Sequence, residues 1–107
     1  MINLWATWCA PCRREMPALA QAERDHPEVR FLLINQGEDS DKVRAFLGSE
    51  SLRFNHLLLD PSMATQRHHR TVGIPVTLFL HADGRLAKAH MGEIAPERIA
   101  AEIARLR

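Results

Sequence analysis

Two cysteines set at a seam constrain this chain more than any other feature: Cys9 and Cys12 lie where a strand-like run gives way to a helical one. Residues 2–6 are apolar and suit a buried strand. From Cys9 to about Asp25 the pattern turns helical, with Met16, Leu19 and Ala20 at i, i+3, i+4. Arg13, Arg14, Glu23 and Arg24 take polar positions. A cysteine at a helix start faces unpaired N–H groups and the positive end of the helix dipole. Both favour thiolate over thiol, so Cys9 is expected to have a lowered pKa and to be the attacking sulfur. Cys12 sits one turn further in, near enough to close a disulfide onto Cys9. Pro11 between them donates no backbone hydrogen bond and stiffens the loop. The chemistry implied is thiol–disulfide exchange through a mixed disulfide. Pro17, inside the helical run, is expected to kink it.

The rest of the chain alternates. Residues 29–35 form a near-continuous apolar run, suited to a strand covered on both faces. Ser40 or Asp39 can cap a short helix carrying Val43, Phe46 and Leu47, with Gly48 as its stop. Residues 57–59 read as a short extended piece. Asp60-Pro61 then predicts an N-cap and an N1 proline, opening a helix to about His69. Residues 76–81 form another strand, and Asp83-Gly84 marks a hairpin turn into an antiparallel return over 86–91. Pro96 opens a last helix with Ile99, Ile103 and Leu106 on one face. The order β-α-β-α-(short β)-α-β-β-α predicts an α/β domain with right-handed parallel crossovers and one terminal hairpin.

Composition narrows the function. The 107 residues suffice for one domain, assigned to 1–107. Lys plus Arg number 14 and Asp plus Glu 13, for a net charge of +1. With no basic stripe either, nothing argues for nucleic acid as a partner. No apolar run reaches membrane-spanning length. Two cysteines are too few for a disulfide scaffold. Zinc would need further ligands beside the Cys pair. Of the six histidines only His68 and His69 lie together, and helix neighbours point about 100° apart, a poor chelate. No metal and no cofactor is therefore expected.

A buried-type strand starting at residue 1, without charged or apolar leader features, predicts a chain that begins inside its domain. An outer strand would then be missing beside residues 29–35. That strand is expected to be an edge, or nearly so, and to favour self-association or a marginal monomer.

Trp5-Ala6-Thr7-Trp8-Cys9-Ala10-Pro11-Cys12, Pro17 five residues on, and Gly73-Ile74-Pro75 before a strand together resemble the thioredoxin superfamily. Residues 3–17 look more narrowly like its TlpA/ResA-like branch of bacterial thiol–disulfide oxidoreductases. The resemblance runs from Ile2 to the last helix. It implies a thioredoxin-like fold with a central mixed sheet of about four strands. It also implies that the stretch 36–70 is the branch's helix-containing insertion. By resemblance Cys9 is the exposed nucleophile and Cys12 the resolving cysteine. Pro75 is similar to the family's cis-proline, which overturns the statistical preference for trans. Ile74 would then offer backbone hydrogen bonds to an extended substrate segment. Trp8 and Pro11 join Ile74 and Pro75 as substrate-facing residues, while Trp5 belongs to the core.

Asn3 stands where thioredoxin keeps a buried aspartate, and it cannot take the resolving cysteine's proton. Glu15, three residues after Cys12, shares its helix face and matches the acidic residue of ResA-like proteins. Partly desolvated, it would serve as proton acceptor for Cys12. The implied partners are cysteine-containing protein substrates and a membrane thiol–disulfide electron donor. The implied role is that of a reductant in extracytoplasmic protein or cytochrome maturation. The implied place is the periplasm, free or membrane-anchored, with the cytoplasm as alternative. A second reading stays open at this point: a thioredoxin-like module that binds a partner or metal without redox turnover. A peroxidase of the peroxiredoxin type would need a Pro-x-x-x-Thr-x-x-Cys loop that the chain lacks.

Overall fold

The computed structural model describes residues 1–69 and 73–106; Arg70, the last residue of the stretch 36–70, and Arg107 lie outside them. The elements follow the expected order: β1 (Ile2–Trp5), α1 (Ala10–Asp25), β2 (Leu32–Gln36), α2 (Ser40–Ser49), β3 (Leu57–Asp60), α3 (Ala64–His68), β4 (Val76–Leu80), β5 (Leu86–Met91) and α4 (Pro96–Arg105). The strands form one mixed sheet in the order β3-β2-β1-β4-β5. β1 and β2 are parallel, as are β2 and β3, while β4 runs antiparallel to β1 and to β5.

Two-residue periodicity sorts the side chains. Trp5, Leu33 and Phe79 point to one face, where Met16 and Leu19 of α1 and Ile99 and Ile103 of α4 cover them. Leu4, Ile34, Val76 and Leu78 form a smaller cluster of their own. The alternation also puts Asn3 and Thr77, partners in the β1–β4 register, on the α1 face. Both are fully buried there.

Several expectations need correcting. Residues 29–35 are not an edge. β2 begins at Leu32 and pairs with β1 on one side and β3 on the other, from Leu33↔Leu57 to Gln36↔Asp60. The sheet therefore has five strands, and self-association through residues 29–35 loses its basis. Three leucines show no periodicity alone; they become a strand because β2 offers a ladder. The edge strand on that side is β3, with Leu58 and Leu59 exposed, and β5 forms the other edge.

Gly48 does not stop α2, which runs through it to Ser49; the left-handed residue beyond the helix is Ser51. The start of α2 is capped by Asp39, whose carboxylate accepts from Lys42 N–H at 2.9 Å. α3 opens after Met63, not at Pro61. Asp60 still serves it, accepting from Ala64 and Thr65 N–H at 3.0 and 2.8 Å. α1 runs unbroken through Pro17.

Gly37 ends β2 with φ of 75° and donates to Asp60 carbonyl at 3.0 Å. This turn sends the chain back toward the end of β1. Among the described residues a Cβ there would meet the Met63 side chain, Sδ at 3.5 Å and Cγ at 3.6 Å, both ordinary contacts, so the cost of substitution is conformational. Gly37→Ala should lower stability by about 1–2 kcal/mol, read as a shifted urea midpoint with unchanged slope.

Candidate active site

The site forms at the carboxyl end of β1, where the chain turns into α1. Cys9 is the N-cap residue, in extended conformation at φ −91° and ψ 108°. Its Sγ accepts from Cys12 N–H at 3.3 Å, one of the helix's otherwise unpaired donors. Cys9 and Cys12 are joined by a disulfide, with Cα atoms 5.2 Å apart. Cys9 is nearly buried at 4% exposure and Cys12 fully so at 0%. The expectation of an exposed Cys9 is thus corrected for this oxidised state: packing covers both sulfurs, with Cys9 the outer one. Trp8 beside it is 65% exposed and forms an apolar rim. Trp5 is buried, its ring 5.7 Å from that of Phe46.

The segment before β4 closes the other side. The Ile74-Pro75 bond is cis, and Cys9 Sγ lies 3.9 Å from Ile74 carbonyl O. Pro75 carbonyl accepts from Gly92 N–H at 2.9 Å, tying this segment to the loop after β5. Pro11 occupies the first turn of α1.

Glu15, on α1 three residues after Cys12, is buried at 2% exposure. Its Oε1 accepts from Asn3 Nδ2 at 2.9 Å and its Oε2 from Ile94 N–H at 3.0 Å. Asn3 Nδ2 also donates to Thr77 Oγ1 at 3.1 Å. Asn3 thus holds the Glu15 carboxylate and the Thr77 hydroxyl together. Burial pushes the Glu15 carboxyl above the ordinary glutamate range, and the negative charge of Glu93 adds to this. The bonds from Ile94 and Asn3, and the nearby His90, pull the other way without cancelling it. Glu93 itself is paired with Arg14 at 2.8 Å on the surface.

Thr7 and Glu38, to which sequence reasoning gave no role, meet at the turn from β1 into α1. Glu38, 8% exposed, accepts from Thr7 N–H at 2.8 Å, from Thr7 hydroxyl, and from Asn35 Nδ2 at 2.9 Å. Lys42 Nζ stands 3.7 Å away. Burial raises the Glu38 pKa, but these donors and the Lys42 charge outweigh it and leave it below the ordinary value. Glu38 lies 31 positions from Thr7, so no local spacing revealed the contact. The only hint was Gly37 just after the β2 pattern, which marks a turn.

Among the described residues no cluster of His, Cys, Asp and Glu is arranged to hold a metal ion, and no helix is long and apolar enough to cross a membrane. A Cys-x-x-Cys disulfide at a helix N-terminus, beside a cis-proline at the same end of a mixed sheet, defines a thioredoxin-like redox domain. The chain belongs to the Redoxin family, whose profile matches residues 1–103. It is 30% identical over 103 residues to "Thioredoxin-like protein YneN" of Bacillus subtilis (strain 168), covering 92% of this chain and 59% of that one. It is 26% identical over 100 residues to "Thiol-disulfide oxidoreductase ResA" of the same organism, covering 92% of this chain and 55% of that one. Among solved structures, a secreted thiol-disulfide isomerase from Corynebacterium glutamicum superposes with a TM-score of 0.86 at 26% identity, covering 98% of this chain and 68% of that one. The resemblance to the TlpA/ResA-like branch is thereby borne out. The chain spans less than two thirds of the length of these curated relatives.

The Glu15 environment has a measurable sign. A carboxyl raised in the folded state binds its proton more tightly than in the unfolded chain. Its contribution to stability is fully present below the unfolded value and is lost as pH rises through the folded one. Wild-type oxidised protein should therefore lose stability relative to Glu15→Gln as pH rises from about 4 toward neutral. Urea midpoints of both proteins across that range check this; parallel curves would place Glu15 outside a desolvated site.

Proposed function

We propose that this domain is a thiol–disulfide oxidoreductase that transfers two electrons between its Cys9–Cys12 pair and cysteine pairs of partner proteins. The observation that carries the reading is Cys9 Sγ itself, at the N-terminus of α1 and 3.9 Å from the carbonyl before cis-Pro75. In the reduced state the Cys9 thiolate attacks one sulfur of a partner disulfide. The Cys9–partner mixed disulfide forms, and the partner's other sulfur leaves as thiolate. Cys12 then gives its proton to the Glu15 carboxylate and attacks Cys9 Sγ. The Cys9–Cys12 disulfide forms, the partner's second thiolate departs, and the partner is left reduced. Glu15 suits the acceptor role because burial raises its affinity for a proton while Asn3 and Ile94 hold both oxygens in place.

Trp8 and Pro11 on one side and Ile74 and Pro75 on the other would receive the partner's chain around its cysteine. Ile74 would supply backbone hydrogen bonds to an extended segment. The ResA-like relationship supports a reductant's role in extracytoplasmic protein or cytochrome maturation, with the domain facing the periplasm. It also supports a membrane thiol–disulfide donor that restores the dithiol. The stretch 36–70 supplies α2, the edge strand β3 and α3, and is assigned as the insertion that shapes partner choice.

Reduction of insulin disulfides by dithiothreitol should be accelerated by the wild-type domain and lost in Cys9→Ser. Cys12→Ser should accumulate a mixed disulfide with a cysteine peptide through Cys9, visible by mass. Turnover retained in Cys9→Ser would remove the assignment. Glu15→Gln should slow resolution by about 10²–10⁴-fold while leaving mixed-disulfide formation intact, read by rapid-quench kinetics.

A further inference from the structure

The thiol chemistry proposed above uses Cys9, Cys12 and Glu15 and leaves a second buried carboxylate without a role. Glu38 sits at the turn between β2 and α2, not on either cysteine-bearing element. Three hydrogen-bond donors converge on it, and two belong to Thr7, two residues before Cys9. The third comes from Asn35, the β2 residue in register with Trp5. The remaining polar group of Thr7, its carbonyl, accepts from Arg13 Nη1 at 2.9 Å. Every hydrogen-bonding group of Thr7 is therefore engaged, backbone and side chain alike. Trp8, by contrast, stands out into solvent.

We infer that Glu38 is a positioning residue for the nucleophile: through Thr7 it holds Cys9 Sγ against the N-terminus of α1 once the disulfide is open. In the oxidised state the bond to Cys12 already fixes Cys9. In the reduced state that tether is gone. The turn from Ala6 to Cys9 then keeps Cys9 N–H to Ala6 carbonyl at 3.3 Å, Arg13 N–H to Cys9 carbonyl at 3.0 Å, and the bonds of Thr7 to Arg13 and Glu38. Of these only the Glu38 clamp comes from outside the β1–α1 segment. If the clamp slackens, Cys9 Sγ moves away from Cys12 N–H, and the thiolate loses the donor that favours it. The groups facing Glu38 are Thr7, Asn35 and Lys42, with Arg13 on the far side of Thr7.

The inference rests on the redox reading but is tested apart from turnover. The reduced domain would be alkylated with iodoacetamide across pH 4–10, with mass mapping of Cys9, for wild type, Glu38→Gln and Thr7→Val. Glu38→Gln keeps the size of the side chain and loses its charge. Loss of the charge alone would stabilise a nearby thiolate and move the Cys9 profile to lower pH. Loss of position moves it to higher pH, so the two effects have opposite signs. The expected result is an upward shift of about one pH unit, hence up to about a tenfold slower reaction at pH below the wild-type midpoint. Thr7→Val, which keeps the N–H bond and loses the hydroxyl bond, should shift the profile the same way by less. A second reading is the equilibrium with dithiothreitol: selective loosening of the reduced form should move it several-fold toward the oxidised domain. A Cys9 profile that is unmoved or moves downward in both variants overturns the inference, even if melting temperatures fall. Should Glu38→Gln fail to fold, Thr7→Val alone decides by the sign of its shift. Failure of wild type to reduce insulin would count against the redox reading and leave the alkylation result standing.

Discussion

The short turn from β1 into α1 is the constraint on which this end of the molecule depends. Four residues, Ala6 to Cys9, must leave a buried parallel strand and begin a helix whose first N–H groups have no partners inside it. Cys9 meets both demands at once. Its backbone carbonyl accepts from Arg13 N–H at 3.0 Å and so starts the helix ladder, while its sulfur satisfies Cys12 N–H. The sulfur's chemistry follows from its structural duty, because the groups a cap must satisfy are the groups that favour a thiolate.

Two buried carboxylates flank this turn, and their surroundings drive them apart. Glu15 accepts two hydrogen bonds and has no ion pair among the described residues, so burial prevails and its proton affinity rises. Glu38 accepts three and has Lys42 nearby, so its proton affinity falls. Groups of one kind with divergent proton affinities divide the labour of a site. In the mechanism proposed above, one takes a proton and the other holds a loop.

Each carboxylate is held by an asparagine at a cost. Asn3 turns its amide N–H groups to Glu15 and Thr77, and Asn35 turns its own to Glu38. The Oδ1 atoms of both are left buried without a hydrogen-bond partner among the described residues. Such an orphaned acceptor costs about 1–3 kcal/mol. The sheet around them offsets it with two closely packed faces, and the loop after β5 ties the parts together. Its Gly92 N–H meets the Pro75 carbonyl and its Ile94 N–H meets Glu15, so the cis-proline segment and the carboxylate share one support.

Much of this was legible in the chain by itself. The strand-to-helix seam at Cys9, the hairpin around Asp83-Gly84 and the amphipathic helix from Pro96 are local matters of periodicity and spacing. A helix or a tight turn is specified by residues within a few positions of one another, so sequence alone suffices. The remaining features depend on partners far along the chain. Leu57 to Asp60 becomes a strand because β2 presents a free ladder, which also removes the edge that residues 29–35 would otherwise offer. Cys9 is covered because tertiary packing closes over it, which no helix-cap rule foresees. Glu38 meets Thr7 across 31 positions because β1 and β2 run parallel and end side by side, with Gly37 turning the chain back between them. Hydrogen bonds at such separations depend on strand order and register, and those were decided only when the whole sheet assembled.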